Sequence, residues 1–303
     1  MSINKFKIKK WFLMLTGKSL LHVNQGLGKE FAPGELKGYF NDLTEKVTKD
    51  LTTLNNKSLP TTKNEKGDDI VFATAIFQYG LGCFDLYLST NEQKYIDQFY
   101  LCVSWALLNQ DNNGGWDISA FAGNNSPYGS MALAEGASLL VRAFSISKDE
   151  IYYKAAKRAI DLMLLPLSEG GTSLYLDGDL YLMEFMDLPC VLNGWIFSIF
   201  GLYDLLLTSE EQKYRNAYES TLNTLKRHIF DFDNGYWSKY DNKKMIASPF
   251  YHKLHIAQLS ALVLIDNCDE FKQFLFLLQK YQKSWFKRKR AFITKAFQKV
   301  FER

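Results

Sequence analysis

The sequence predicts an all-α protein: an incomplete α/α toroid, a barrel of helical hairpins, preceded by an irregular N-terminal segment. Three observations predict it. First, apolar residues recur at helical spacing through most of residues 68–279. Second, related stretches return at a fixed distance. Asp85 and Asp204 stand 119 residues apart, as do Tyr95 and Tyr214, and Arg142-Ala143-Phe144 falls near the midpoint. The unit is a helix, a short capped turn and a second helix, about every 60 residues. Third, the second helices run into polar turns at Asp111–Trp116 and Asp231–Trp237. A helical hairpin cannot bury its apolar face alone, so such units stack. Inner helices then line a bowl whose rim is made of loops.

The chain has 303 residues, 47% of them hydrophobic and only six proline. That is enough for one large core and excludes a disordered chain. Residues 1–67 read as an irregular segment, 68–279 as the toroid and 280–303 as a basic amphipathic helix. Glycines 26, 28, 34 and 38 and the polar run 55–67 predict extended loops in the first of these. The start, Lys5 to Leu15, mimics a signal peptide, but its apolar core is short and no small-residue cleavage site follows. No apolar run reaches bilayer length. Cys83, Cys102, Cys190 and Cys268 lack paired spacing and read as reduced core residues, so a cytoplasmic setting is expected. No zinc, P-loop or dinucleotide pattern is present, and no metal or cofactor is expected.

The net charge of +3 hides a segregation. From Lys280 to Arg303 nine basic residues face the single acid Glu302, a net +8, which leaves −5 on residues 1–279. Aromatic residues are interleaved: Trp285, Phe286, Phe292, Phe297 and Phe301. Three uses fit: a last helix packed on the domain with solvated lysines, docking to an anionic membrane face, or contact with an acidic polymer. Nucleic acid fits worst, because no nucleic-acid module accompanies the charge. A homodimer is an admissible assembly, and attachment to the inner membrane face an option.

In the central stretch Tyr181–Asp204, Glu184 stands in an apolar run before a turn at Pro189. A helix follows with Val191, Trp195, Ile199 and Leu202 on one face, and Gly194 and Gly201 allow close packing. A lone carboxylate before a buried helix suits a perturbed acid or base. Trp116 and Trp237 stand at rim turns, where they either pack or stack on sugar rings. His252 and His255, at i and i+3, fit a structural or substrate-contacting role better than metal binding, since no third ligand is patterned with them. Tyr240 and Tyr251 could move a proton only if a cation or buried charge tunes them. Lys239, Lys253, His252 and Arg142 are the available cations. Glu135 reads as a buried carboxylate paired with Arg142 or with helix-end amides.

Two long motifs in order, Val191-Leu192-Asn193-Gly194-Trp195-Ile196-Phe197 through Asp204 and Ala247-Ser248-Pro249-Phe250-Tyr251-His252 through Leu259, resemble the C-terminal domain of the glucuronyl C5-epimerases. The resemblance covers about residues 69–264. It implies a helical catalytic domain that inverts C5 of D-glucuronic acid residues, giving L-iduronic acid, in a polysaccharide or lipid-linked oligosaccharide. It implies no redox cofactor. It places catalytic roles on Tyr251, Tyr240 and Glu184; residue type and position add expected substrate contacts at His252, His255, Trp116, Trp237, Lys239 and Arg142. Two positions depart from the family pattern: Phe185 stands where the family has tyrosine, and Leu133 where it has glutamine. A uronate lyase, which begins with the same proton abstraction, and a catalytically silent carbohydrate-binding protein are the alternatives. A glycoside hydrolase fits less well, for want of a matched carboxylate pair.

Overall fold

The computed structural model describes residue 13 and residues 19–63, 67–122, 127–186 and 189–301. The run Lys5 to Leu15 lies outside them except for Leu13, and so do the last two residues. Eight helices form four hairpins: α3 (Ala73–Thr90) with α4 (Gln93–Asn109), α6 (Ser130–Ser147) with α7 (Glu150–Leu164), α8 (Leu192–Leu206) with α9 (Gln212–His228), and α10 (Pro249–Ile265) with α11 (Asp269–Lys283). The first helices of the first three pairs are mostly buried and α10 about half buried, while the second helices are amphipathic. Each first helix packs on the next, α3 on α6, α6 on α8 and α8 on α10, with the second helices outside. This is the incomplete α/α toroid. The turns repeat too. α3 and α6 each end on a left-handed residue, Asn91 (φ 57°) and Lys148 (φ 60°), whose N–H returns to the carbonyl four residues back.

The N-terminal segment is more ordered than its glycines suggest, and it is part of the same core. It carries short helices α1 (Thr44–Thr48) and α2 (Leu51–Asn55), and a hairpin of β1 (Thr61–Lys63) and β2 (Asp69–Val71). Its middle crosses the C-terminal ends of the inner helices, where the thirteenth residues of α3, α6 and α8 are Asp85, Arg142 and Asp204. Tyr39 N–H donates to Asp85 at 3.0 Å, and Arg142 donates to the Lys37 and Gly38 carbonyls at 3.0 and 3.1 Å. The polar positions that betrayed the repeat therefore hold the floor of the bowl. A second hairpin, β3 (Ser173–Leu176) and β4 (Asp179–Leu182), turns on Asp177-Gly178, both with positive φ. Periodicity did not foresee it, because strands this short lie within a helical pattern. A four-residue helix, α5 (Ser119–Ala122), and a last helix, α12 (Trp285–Phe301), complete the chain. Among the described residues no helix is long and apolar enough to cross a membrane.

Candidate active site

At the opposite end from that floor, β4 delivers Glu184 against the first turns of two inner helices. A side chain on Gly129, just before α6, would meet the Glu184 carbonyl oxygen at 2.5 Å. A Cβ on Gly194, the third residue of α8, would lie 2.4 Å from Glu184 Oε2. The carboxyl thus rests on a helix N-terminus, where the dipole favours negative charge. It is nevertheless desolvated, which pushes its pKa up to about 7. Its Oε2 is buried and accepts no hydrogen bond among the described residues.

Tyr240 and Tyr251 come to the same place by different routes. Leu192 N–H donates to the Tyr240 carbonyl and Asn242 N–H to that of Cys190, both at 3.0 Å, which stitches the Tyr240 strand to the start of α8. Asp241 accepts the N–H groups of Lys243, Lys244 and Met245 and fixes the turn. Tyr251 stands in the first turn of α10, which is capped by Ser248 with Pro249 at the first helical position. The two rings meet edge to face, 4.9 Å apart. Burial and the Glu184 charge push both phenols above their ordinary range. Each phenol also feels the other across this contact. The three expected catalytic groups therefore form one recess. All three remain partly open to solvent.

The structure moves most of the expected substrate contacts into the scaffold. Trp116 is buried, packs on Phe77 and Gly136, and donates Nε1–H to the Ala106 carbonyl at 2.9 Å. Trp237 is buried, stacks on His252 at 3.6 Å and donates to the Ala247 carbonyl. Neither ring offers a face to a sugar. His252 donates from Nε2 to the Leu278 carbonyl, so its Nδ1 accepts from Ser238, and His255 reaches the same hydroxyl from its own Nδ1. Burial lowers His252 to about 3 and His255 well below its ordinary value, so both are neutral struts. Arg142 is fully paired with Asp204, Nη1 to Oδ2 at 2.6 Å, at the far end of the bowl. Lys239, next to Tyr240 on an alternating strand, turns away and donates to the Asp231 carbonyl. Glu135 pairs with neither Arg142 nor a helix end; it accepts from Gln78 at 2.7 Å and faces Lys46.

One cation beside the recess was missed. Lys295, on α12, is only 6% exposed, and its Nζ lies 5.7 Å from the centre of the Tyr240 ring. Its place among small residues (Ala291, Thr294, Ala296) was the available signal, hidden by reading the basic tail as one block. A groove of about 350 Å³ lies beside the recess, lined among others by His22, Glu45, Lys49, Phe250, Lys253 and Phe292. Its lining takes Phe250 and Lys253 on either side of Tyr251 but not Tyr251 itself, and the His22 ring stands 6.1 Å from the Tyr251 ring. Among the described residues no group of three His, Cys, Asp or Glu is placed to hold a metal.

Fold and site together define a helical-toroid protein with a carboxyl and two coupled phenols at one rim. A sequence model described as the D-glucuronyl C5-epimerase C-terminus matches residues 110–282, more than half of the chain. The chain belongs to that family. It is 26% identical over 257 residues to a D-glucuronyl C5-epimerase of Caenorhabditis elegans, an alignment that covers 73% of this chain and 42% of the relative. The chain therefore spans less than half the length of that relative. Among solved structures it is similar to the GH76A alpha-1,6-mannanase of Salegentibacter sp. HEL1_6, with TM-score 0.48, 16% identity, and 70% and 63% of the two chains covered. An inactive variant of that enzyme in complex with alpha-1,6-mannotriose gives TM-score 0.47 at 18% identity, over 68% and 62%.

Proposed function

We propose that this protein is an epimerase that inverts C5 of D-glucuronic acid residues in a polysaccharide or lipid-linked oligosaccharide. The observation that carries the reading is the meeting of Glu184 with the Tyr240–Tyr251 pair. Family membership and the name of the curated relative support it. Proton exchange at a carbon beside a carboxylate needs a base near neutrality on one face and an acid on the other. Glu184, raised to about 7, is ionised in a substantial fraction at neutral pH and can also carry the proton away. Tyr251 stays protonated and returns a proton to the opposite face, and the Tyr240 phenol packed against it stabilises the phenolate left behind. The C5–H bond breaks, its electrons pass into the substrate carboxylate as an enediolate, and a new C5–H bond forms with inversion. Lys295 supplies positive charge for that enediolate. Lys253, with Lys49 paired to Glu45, leaves the groove a net positive charge for an anionic chain.

Phe185 favours a second reading, a catalytically silent glycan-binding protein. The test is incubation with glucuronic-acid-containing oligosaccharides, followed by NMR of the sugar ring protons. Inverted product supports the epimerase. An unsaturated product absorbing in the ultraviolet reassigns the chemistry to a lyase, and binding without turnover supports the silent reading.

A further inference from the structure

The last helix is built inside out. Along α12 the side turned to the protein carries Lys287, Ala291, Thr294, Lys295 and Gln298, at helical spacing. Polar contacts hold it there. Tyr236 donates to Thr294 at 3.2 Å, the Gln298 amide bridges Ile246 N–H and the Lys244 carbonyl, and Lys287 lies over the Tyr281 ring at 4.0 Å. The side turned to solvent carries the large apolar groups. Trp285, Phe286, Phe292 and Ile293 are between 44 and 78% exposed, with Arg288, Lys289 and Arg290 exposed among them. Ordinary surface helices have the reverse arrangement, and contiguous exposed apolar groups mark an interaction surface.

We propose that this outer face of α12 docks on an anionic lipid bilayer surface. Its chemistry fits that occupant on two counts. Rings and an isoleucine on the outer face can enter the boundary between headgroups and acyl chains, while the cations beside them meet the lipid phosphates. The charge is concentrated where the apolar groups are: residues 280–303 carry +8 and the rest of the chain −5. A second copy of the chain on this face would oppose two surfaces that each carry Arg288, Lys289 and Arg290. An acidic polysaccharide would satisfy the cations and could stack on a ring, but it offers no apolar layer for Ile293 and the phenylalanines to enter. Phe292 also lines the groove beside the recess, so docking would bring the groove to the bilayer. This inference does not depend on which sugar the recess takes.

The test is co-sedimentation of the full chain with vesicles of equal parts phosphatidylglycerol and phosphatidylcholine, against pure phosphatidylcholine. The expected result is binding to the anionic vesicles alone, reduced at least about tenfold by Arg288→Glu with Lys289→Glu, and likewise by Phe286→Ser with Ile293→Ser. All four side chains are exposed, so melting temperatures are expected to stay at the wild-type value. Absence of sedimentation, or sedimentation indifferent to both double variants, overturns the proposal. So does loss in these variants of retention on a uronan column without any vesicle binding, which would assign the face to the polymer. A concentration-dependent dimer broken by Phe286→Ser, again without vesicle binding, would assign it to a second copy.

Discussion

Glu184, the proposed base, is brought near neutrality by burial, which raises its carboxyl to about 7. Two predictions follow at this scale. Its folded pKa of about 7 lies above the ordinary carboxylate value of 4.5, so the active base accumulates as pH rises. kcat/KM is expected to climb through about pH 7 and then level. Tyr251 adds no descending limb below its ordinary 10, because burial and the Glu184 charge push it upward. Initial rates across pH check this, and a limb centred near 4.5 would contradict it. Gly194→Ala tests placement. The added methyl would sit 2.4 Å from Oε2, so the carboxyl must move, and a displacement of about 1 Å costs on the order of 100-fold in rate. The helix itself gains about 1 kcal/mol of propensity from alanine, so the fold should survive. Wild-type activity in this variant would remove Glu184 from the mechanism. Glu184 and the close packing at Gly194 were legible from the residues themselves, whereas Tyr240 and Tyr251 were singled out only through the family motifs; what the structure adds is that the three side chains come together. The roles of Trp116, Trp237, His252 and Arg142 were not legible. A tryptophan after a polar turn looks the same whether its ring meets a sugar or the core, and only the partners Ala106 and Ala247 decide it.

Among the elements, the hairpin repeat was readable because each helix pair buries the same face. The short β-hairpins and the ordered N-terminal segment were not, because what orders them is contact with distant residues. Asp85 holds Tyr39 across 46 positions, and Arg142 holds Lys37 across 105. The repeated turn offers its own test. Asn91 and Lys148 occupy equivalent left-handed positions, and a lysine is strained there while asparagine or glycine is not. Lys148→Gly is expected to stabilise by about 0.5–1 kcal/mol, read as a higher denaturant midpoint. A lower midpoint would mean that the Lys148–Phe144 contact outweighs the backbone strain.

The whole molecule keeps several carboxyls neutral in its interior. Glu135 is pushed to about 8 by burial, and Asp85 likewise to about 8. A group whose folded pKa is raised gives stability that is complete below its unfolded value and is lost as pH rises through the folded value. For Glu135 that window runs from about 4.5 to about 8. Glu135→Gln keeps an oxygen for Gln78 and cannot ionise. Its melting temperature relative to wild type should therefore rise with pH across this window. A difference that is flat with pH would mean that Lys46 compensates the buried charge in full. Arg142 is paired with Asp204, and a buried cation, Lys295, reaches the Tyr240 ring from α12.

The central claim is that Glu184 and Tyr251 work on opposite faces of one carbon. It is tested most directly by solvent exchange at C5. Incubation in deuterium oxide with glucuronic-acid-containing oligosaccharides should place deuterium at C5 of inverted product. Glu184→Gln should lower that exchange by about 100- to 10,000-fold. Tyr251→Phe should let Glu184 exchange the C5 hydrogen of unreacted substrate without inversion. Inversion at the wild-type rate in either variant would contradict the account.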